Sequence, residues 1–150
     1  MGALSSREGL TARQTGAWPD VPAWLNEGLA SLFEFPAEKA GHITGKVNWR
    51  LPALQVALKR GEVPSFHQLT HLSDNAFYQD DRGTNYAEAR YLIYWLQEKG
   101  LLRKYVKRAL ELKDEDGTGW KALTEVLGQD PDAQFKTWSK FTLGLSQHES

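Results

Sequence analysis

Asn85-Tyr86-Ala87-Glu88-Ala89-Arg90-Tyr91-Leu92-Ile93-Tyr94-Trp95-Leu96-Gln97-Glu98-Lys99-Gly100 is the stretch that sets the fold class. Ala89, Leu92, Ile93 and Leu96 recur three and four positions apart, so a helix gathers them on one face. Asn85 with Glu88 three residues on reads as a capping box, and Gly100 as the terminator.

The same period continues on both sides. Downstream, Leu102, Tyr105, Val106, Ala109 and Leu110 form a second helical face, and Asp114-Glu115-Asp116-Gly117-Thr118-Gly119 is a polar turn. Trp120, Leu123 and Leu127 belong to a short helix ending at Gly128, and Pro131 opens a last one with Phe135, Trp138, Phe141 and Leu145 as its stripe. Upstream, Leu51, Leu54 and Leu58 share a face of a helix that runs from Pro52 to Gly61. Short helical turns fit Ser65–Leu72 and Asp74–Tyr78. Between 37 and 49, Gly41, Gly45 and β-prone pieces around Ile43 and Val47 suit a loop or a small hairpin near 40–50. The first helix opens at Asp20 to Pro22 and stops before Pro36. Its apolar residues Trp24, Leu25, Gly28, Leu29, Leu32 and Phe33 cover a wide arc, leaving Glu27, Ser31 and Glu34 as a narrow polar stripe. The expected architecture is mainly α: a single compact helical domain of about six helices over 20–146. A mobile arm at 1–19 precedes it and a tail at 147–150 follows.

Composition narrows the function classes. The 150-residue chain has 18 basic and 19 acidic side chains, too balanced to point to nucleic acid or a membrane surface. It has no Cys, which excludes disulfides, thiolate metal sites and cysteine nucleophiles. No apolar run approaches the ~18 residues of a membrane span. The first residues have no secretory pattern, so the cytoplasm is the default compartment. Met1-Gly2-Ala3-Leu4-Ser5-Ser6 fits a myristoylation pattern, but five residues of pattern say little. Lys99, Arg103, Lys104, Lys107 and Arg108 make a basic face, which the acidic residues around it mark as a solvated one.

Pro22-Ala23-Trp24-Leu25-Asn26-Glu27-Gly28-Leu29-Ala30 carries the main functional signal. On pattern alone Glu27 is a solvated glutamate on a polar stripe. The segment, however, resembles the second half of a gluzincin zinc site, in which a W-L-N-E-G helix provides a glutamate ligand. Asn48-Trp49-Arg50-Leu51-Pro52-Ala53-Leu54, Tyr86-Ala87-Glu88-Ala89-Arg90-Tyr91-Leu92 and Gly119-Trp120-Lys121-Ala122-Leu123 are also similar to peptidase-MA-like bacterial proteins. The likeness spans roughly 20–145. It implies that Glu27 stands at the third-ligand position. It also implies that Tyr86, at the start of a downstream helix, stands where related peptidases place an oxyanion donor. The other reading of Tyr86 is an aromatic packed on the core.

The departure from that family is as informative. Gluzincins bind zinc through H-E-x-x-H on a helix before the glutamate, and residues 1–26 contain no His. One carboxylate cannot hold zinc, because such sites take three or four protein ligands. His67 and His71, four apart, are the alternative metal pair, although they follow Glu27 and have Gln68 where a base would stand. His42 and His148 stand alone. The expectation is a truncated or degenerate metallopeptidase-like domain, inactive by itself, with no cofactor unless zinc ligands come in a non-standard way. The second class of function is a helical interaction or homo-oligomerisation module. In that case a second copy or a partner protein covers the 22–34 helix through Trp24, Leu25, Leu29 and Phe33.

Overall fold

The central helix is enclosed on almost every side, and the rest of the chain is arranged around it. The computed structural model describes residues 21–32, 36–39, 42–45, 50–79 and 83–146. Among these are helices α1 (Ala23–Leu32), α2 (Leu51–Lys59), α3 (Phe66–Thr70), α4 (Asp74–Tyr78), α5 (Thr84–Glu98), α6 (Leu102–Glu111), α7 (Trp120–Leu127) and α8 (Phe135–Leu143). A 3-10 turn, Pro131–Gln134, leads into α8. Strands β1 (Pro36–Lys39) and β2 (His42–Gly45) pair antiparallel, with Pro36 opposite Gly45 and Lys39 opposite His42. The chain is mainly helical, as its periodicity predicts. The hairpin begins upstream of the expected 40–50 region: Ile43 lies in β2, whereas Val47 falls outside the described residues. The arm at 1–19 and the tail at 147–150 also fall outside them.

Helix α5 packs against α1, α2, α4, α6 and α8, and its most extensive partner is α1. Every residue from Ala87 to Ile93 is buried. A helix covered on all faces has no solvent stripe, so its polar residues are carried into the core as well. Glu88 is one of them. Helix α5 starts at Thr84 after Gly83, whose left-handed φ of 75° makes the turn, and no side chain caps it. The capping-box role read for Asn85 and Glu88 is therefore corrected: the Glu88 side chain lies fully inside the protein.

The core is one continuous cluster of leucines and large rings. Phe66 sits among Trp95, Phe135 and Trp138, with centroids 5.1–6.5 Å away. Trp138 also donates its indole N–H to the Tyr91 carbonyl at 3.1 Å, so its polar edge is satisfied.

Helix ends are closed from other elements. Asp74 of α4 accepts the Ala23 N–H at the start of α1 (3.1 Å), and Asp132 accepts the Phe66 N–H at the start of α3 (2.8 Å). The Gln55 amide of α2 donates to the Thr142 and Leu145 carbonyls at the end of α8, each at 3.0 Å. Each contact satisfies an orphan backbone group and also fixes one helix against another. No helix among the described residues is long and apolar enough to cross a membrane.

Candidate functional site

Helix α1 can approach α5 closely because residue 28 has no side chain. A Cβ there would lie 2.9 Å from Ile93 Cγ1 and 3.0 Å from the Ala89 carbonyl oxygen. That packing sets the depth of α1 and turns Glu27 toward α4 and the first turn of α5. A Gly28→Ala substitution therefore forces the helices apart. Overpacking costs about 1–3 kcal/mol, and the better helix propensity of alanine returns up to about 1 kcal/mol. We expect a net loss of about 1 kcal/mol in urea unfolding. No loss, or a gain, would mean that the helices separate freely.

The Glu27 carboxylate accepts two phenolic hydrogen bonds, one on each oxygen. Tyr78 donates to Oε2 at 2.6 Å and Tyr86 donates to Oε1 at 2.8 Å. Charge-assisted O–H bonds of this length are at the strong end of the range. Phe77 is buried beneath, with centroids 5.4 Å from both tyrosine rings. The Arg50 guanidinium lies 5.4 Å from the Tyr86 ring centroid. The pairs Ala23–Asp74 and Glu27–Tyr78 are each one helical turn apart, so α1 and α4 are clamped side by side in parallel. The hydrogen bond to Glu27 holds the Tyr78 hydroxyl above the ordinary phenol range, helped by burial and by the negative charge of Glu27. Tyr78 is thus a donor at neutral pH, even though it is 53% exposed.

A second group of cations closes the far end of α1. Arg90, fully buried, donates to the Ser31 carbonyl, and Arg50 donates to Ser31 Oγ at 3.2 Å. Positive charge belongs at a helix C-terminus, where carbonyls lack partners and the dipole is negative.

Glu27 and Tyr86, 59 positions apart, are brought together, as the two site positions singled out from the sequence. His67 and His71 are not part of this group: they lie on and just after α3, stacked on each other and edge-on to Trp120. Sequence reasoning missed Tyr78 and Arg50. Tyr78 was visible only as the last residue of a short turn, and Arg50 only as a word in a resemblance. Trp24, Leu25 and Leu29, expected to face a partner, are each 0–1% exposed and packed within this chain, so they offer no area to another protein. Helix α5 provides most of the cover, and the polar 114–119 turn closes over Trp24, whose indole donates to the Thr118 carbonyl at 2.9 Å. Phe33 lies outside the described residues.

The donor set does not fit zinc. Among the described residues, no three His, Asp or Glu side chains form a group able to hold a metal ion. Each oxygen of Glu27 already has a phenolic partner. What the arrangement can do is hold a carboxylate in a fixed place, with two O–H donors beside it and unused lone pairs on both oxygens.

On the basic face of α6, Arg108 is held by acidic neighbours. Arg108 pairs with Glu125 at 2.6 Å and with Glu111 at 3.2 Å.

A family model described as a protein of unknown function (DUF1570) matches residues 7–113, most of the chain. The chain belongs to the DUF1570 family. The DUF1570 match contains α1 through α6, hence Glu27, Arg50, Tyr78 and Tyr86, and ends before Trp120. No functionally curated protein and no solved structure matches the chain.

Proposed function

We propose that this DUF1570 chain is a degenerate gluzincin-type metallopeptidase domain, without peptidase activity on its own. One observation carries the reading. The glutamate of the W-L-N-E-G word and the tyrosine opening the downstream helix meet at 2.8 Å, through helices α1 and α5. A zinc peptidase needs a carboxylate ligand and an oxyanion donor side by side on rigid elements, and the Glu27–Tyr86 contact supports reading this scaffold in that way. It does not supply the histidines or the general base, so no hydrolytic step is assigned to it. Where such a peptidase would have its metal on this carboxylate, the Tyr78 and Tyr86 hydroxyls satisfy it here.

The expected result is no chelator-sensitive cleavage of a peptide library, and no zinc binding that depends on Glu27. Cleavage abolished both by chelation and by Glu27→Ala would overturn the inactive assignment. The ligand position is tested separately by fusing an H-E-x-x-H helix ahead of α1. The fusion should gain zinc that Glu27→Ala removes. A folded fusion without Glu27-dependent zinc would sink the family reading.

A further inference from the structure

His67 and His71 are both exposed, and they lie one helical turn apart with ring centroids separated by 4.0 Å. The surroundings of His71 fix where its protons sit. Its Nδ1 is 2.8 Å from the His67 carbonyl oxygen and 3.1 Å from Thr70 Oγ1. The Thr70 hydroxyl itself donates to that same carbonyl, at 3.2 Å. A carbonyl oxygen only accepts, and the threonine proton is already used. Nδ1 must therefore carry the hydrogen, which leaves the lone pair of the neutral ring on Nε2. A ring held through Nδ1–H by a backbone carbonyl, with Nε2 open, is the form in which proteins present histidine to metal ions.

The local field also favours a cation. The Asp116 carboxylate lies in electrostatic range of His71 and is held below the ordinary aspartate range. Burial opposes this, but hydrogen bonds from Thr118 and from the Lys121 N–H outweigh it. At the start of α3, Asp132 accepts from the backbone N–H of Phe66 (2.8 Å) and that of His67 (3.4 Å). Trp120 stands at the edge of the pair, its ring 4.8 Å from His67 and 6.0 Å from His71.

We propose that His67 and His71 form a two-histidine surface site for a borderline divalent transition ion, with water completing the coordination. Copper(II) binds most tightly by the general order of such ions. The rings now stack with 20° between their planes. An ion must lie in the plane of each imidazole, so binding turns the His67 ring out of the stack while the held His71 ring stays. The site is independent of Glu27 and of the peptidase reading.

The test is a copper(II) titration of the whole chain, followed by calorimetry and by tryptophan fluorescence. One ion per chain should bind, quenching a component of the fluorescence that is missing in Trp120→Phe. His67→Ala and His71→Asn should each weaken binding at least about tenfold. Asparagine can keep the hydrogen bond to the His67 carbonyl, so loss of the short helix is not confused with loss of the ligand. His42→Ala, His148→Ala and Glu27→Ala should bind as the unaltered chain does. No one-to-one binding, or binding unchanged in both His67→Ala and His71→Asn, would overturn the proposal.

Discussion

Gly119→Ala is expected to lower the stability of the fold by roughly 4 kcal/mol, more than Gly28→Ala or Gly128→Ala. Gly119 has φ +83°, a left-handed conformation that costs an L-residue about 1–2 kcal/mol. Its Cβ would also lie 2.5 Å from the Tyr105 hydroxyl and 3.3 Å from Trp24 Cζ2. Neither neighbour has room to yield. Tyr105 is fully buried and donates to the Gly119 carbonyl at 3.0 Å, and displacing it strands a polar group in the core at about 1–3 kcal/mol. Burial, and then the nearby Asp116 charge, push the Tyr105 phenol up, so it stays a neutral donor and cannot escape by ionising. Trp24 anchors the helix that carries Glu27, so the same methyl group loosens the site. Gly128→Ala is the control: φ there is +76°, but nothing lies within 4 Å of the added Cβ. It should cost the conformational term alone, about 1 kcal/mol. Urea unfolding of both variants separates collision from strain. Equal losses would show that Tyr105 and Trp24 move aside without cost.

The sequence made the helices readable because most of them keep an apolar face at a 3.6-residue period. Trp24, Leu29, Leu92, Leu96, Leu123 and Trp138 are all core residues, as their spacing implies. What it hid was which polar groups the core would take in. Asn85 and Glu88 match a capping box by residue type, but the rule counts spacing and cannot see that α5 is surrounded. Likewise, the wide apolar arc of α1 suggested a missing cover, whereas α5 covers most of it and a polar turn that looked like plain surface closes over Trp24. Such a turn can sit over Trp24 because its backbone carbonyls have partners: the Thr118 oxygen takes the indole N–H, and the Gly119 oxygen takes the Tyr105 hydroxyl. At the candidate site, Glu27 and Tyr86 were legible as words. Tyr78 was not, because its role depends on α4 lying parallel to α1, a relation set by the distant Asp74–Ala23 bond.

Glu88→Leu should stabilise the protein, by roughly 2 kcal/mol at pH 7. The Glu88 side chain is 0% exposed, and both carboxyl oxygens lack a hydrogen-bond partner. A buried polar group left unsatisfied costs about 1–3 kcal/mol, and an apolar side chain of similar size removes that cost. Burial, and to a lesser degree the charge of Asp132, push the carboxyl well above its ordinary value of 4.5. The sign of the pH dependence follows. The folded chain keeps the Glu88 proton at pH values where the unfolded chain has released it, so the unfolded state binds fewer protons and stability falls as pH rises. The contribution of this group is complete below about pH 4.5, and it is lost progressively up to the raised value of the folded protein. Glu88→Leu removes that slope, so its advantage should be smallest near pH 4.5 and widen toward pH 8. Thermal unfolding of both proteins across this range reads the difference directly. A constant difference at all pH values would mean that Glu88 titrates normally. A destabilised variant would mean that the carboxyl makes an interaction in solution that outweighs its burial.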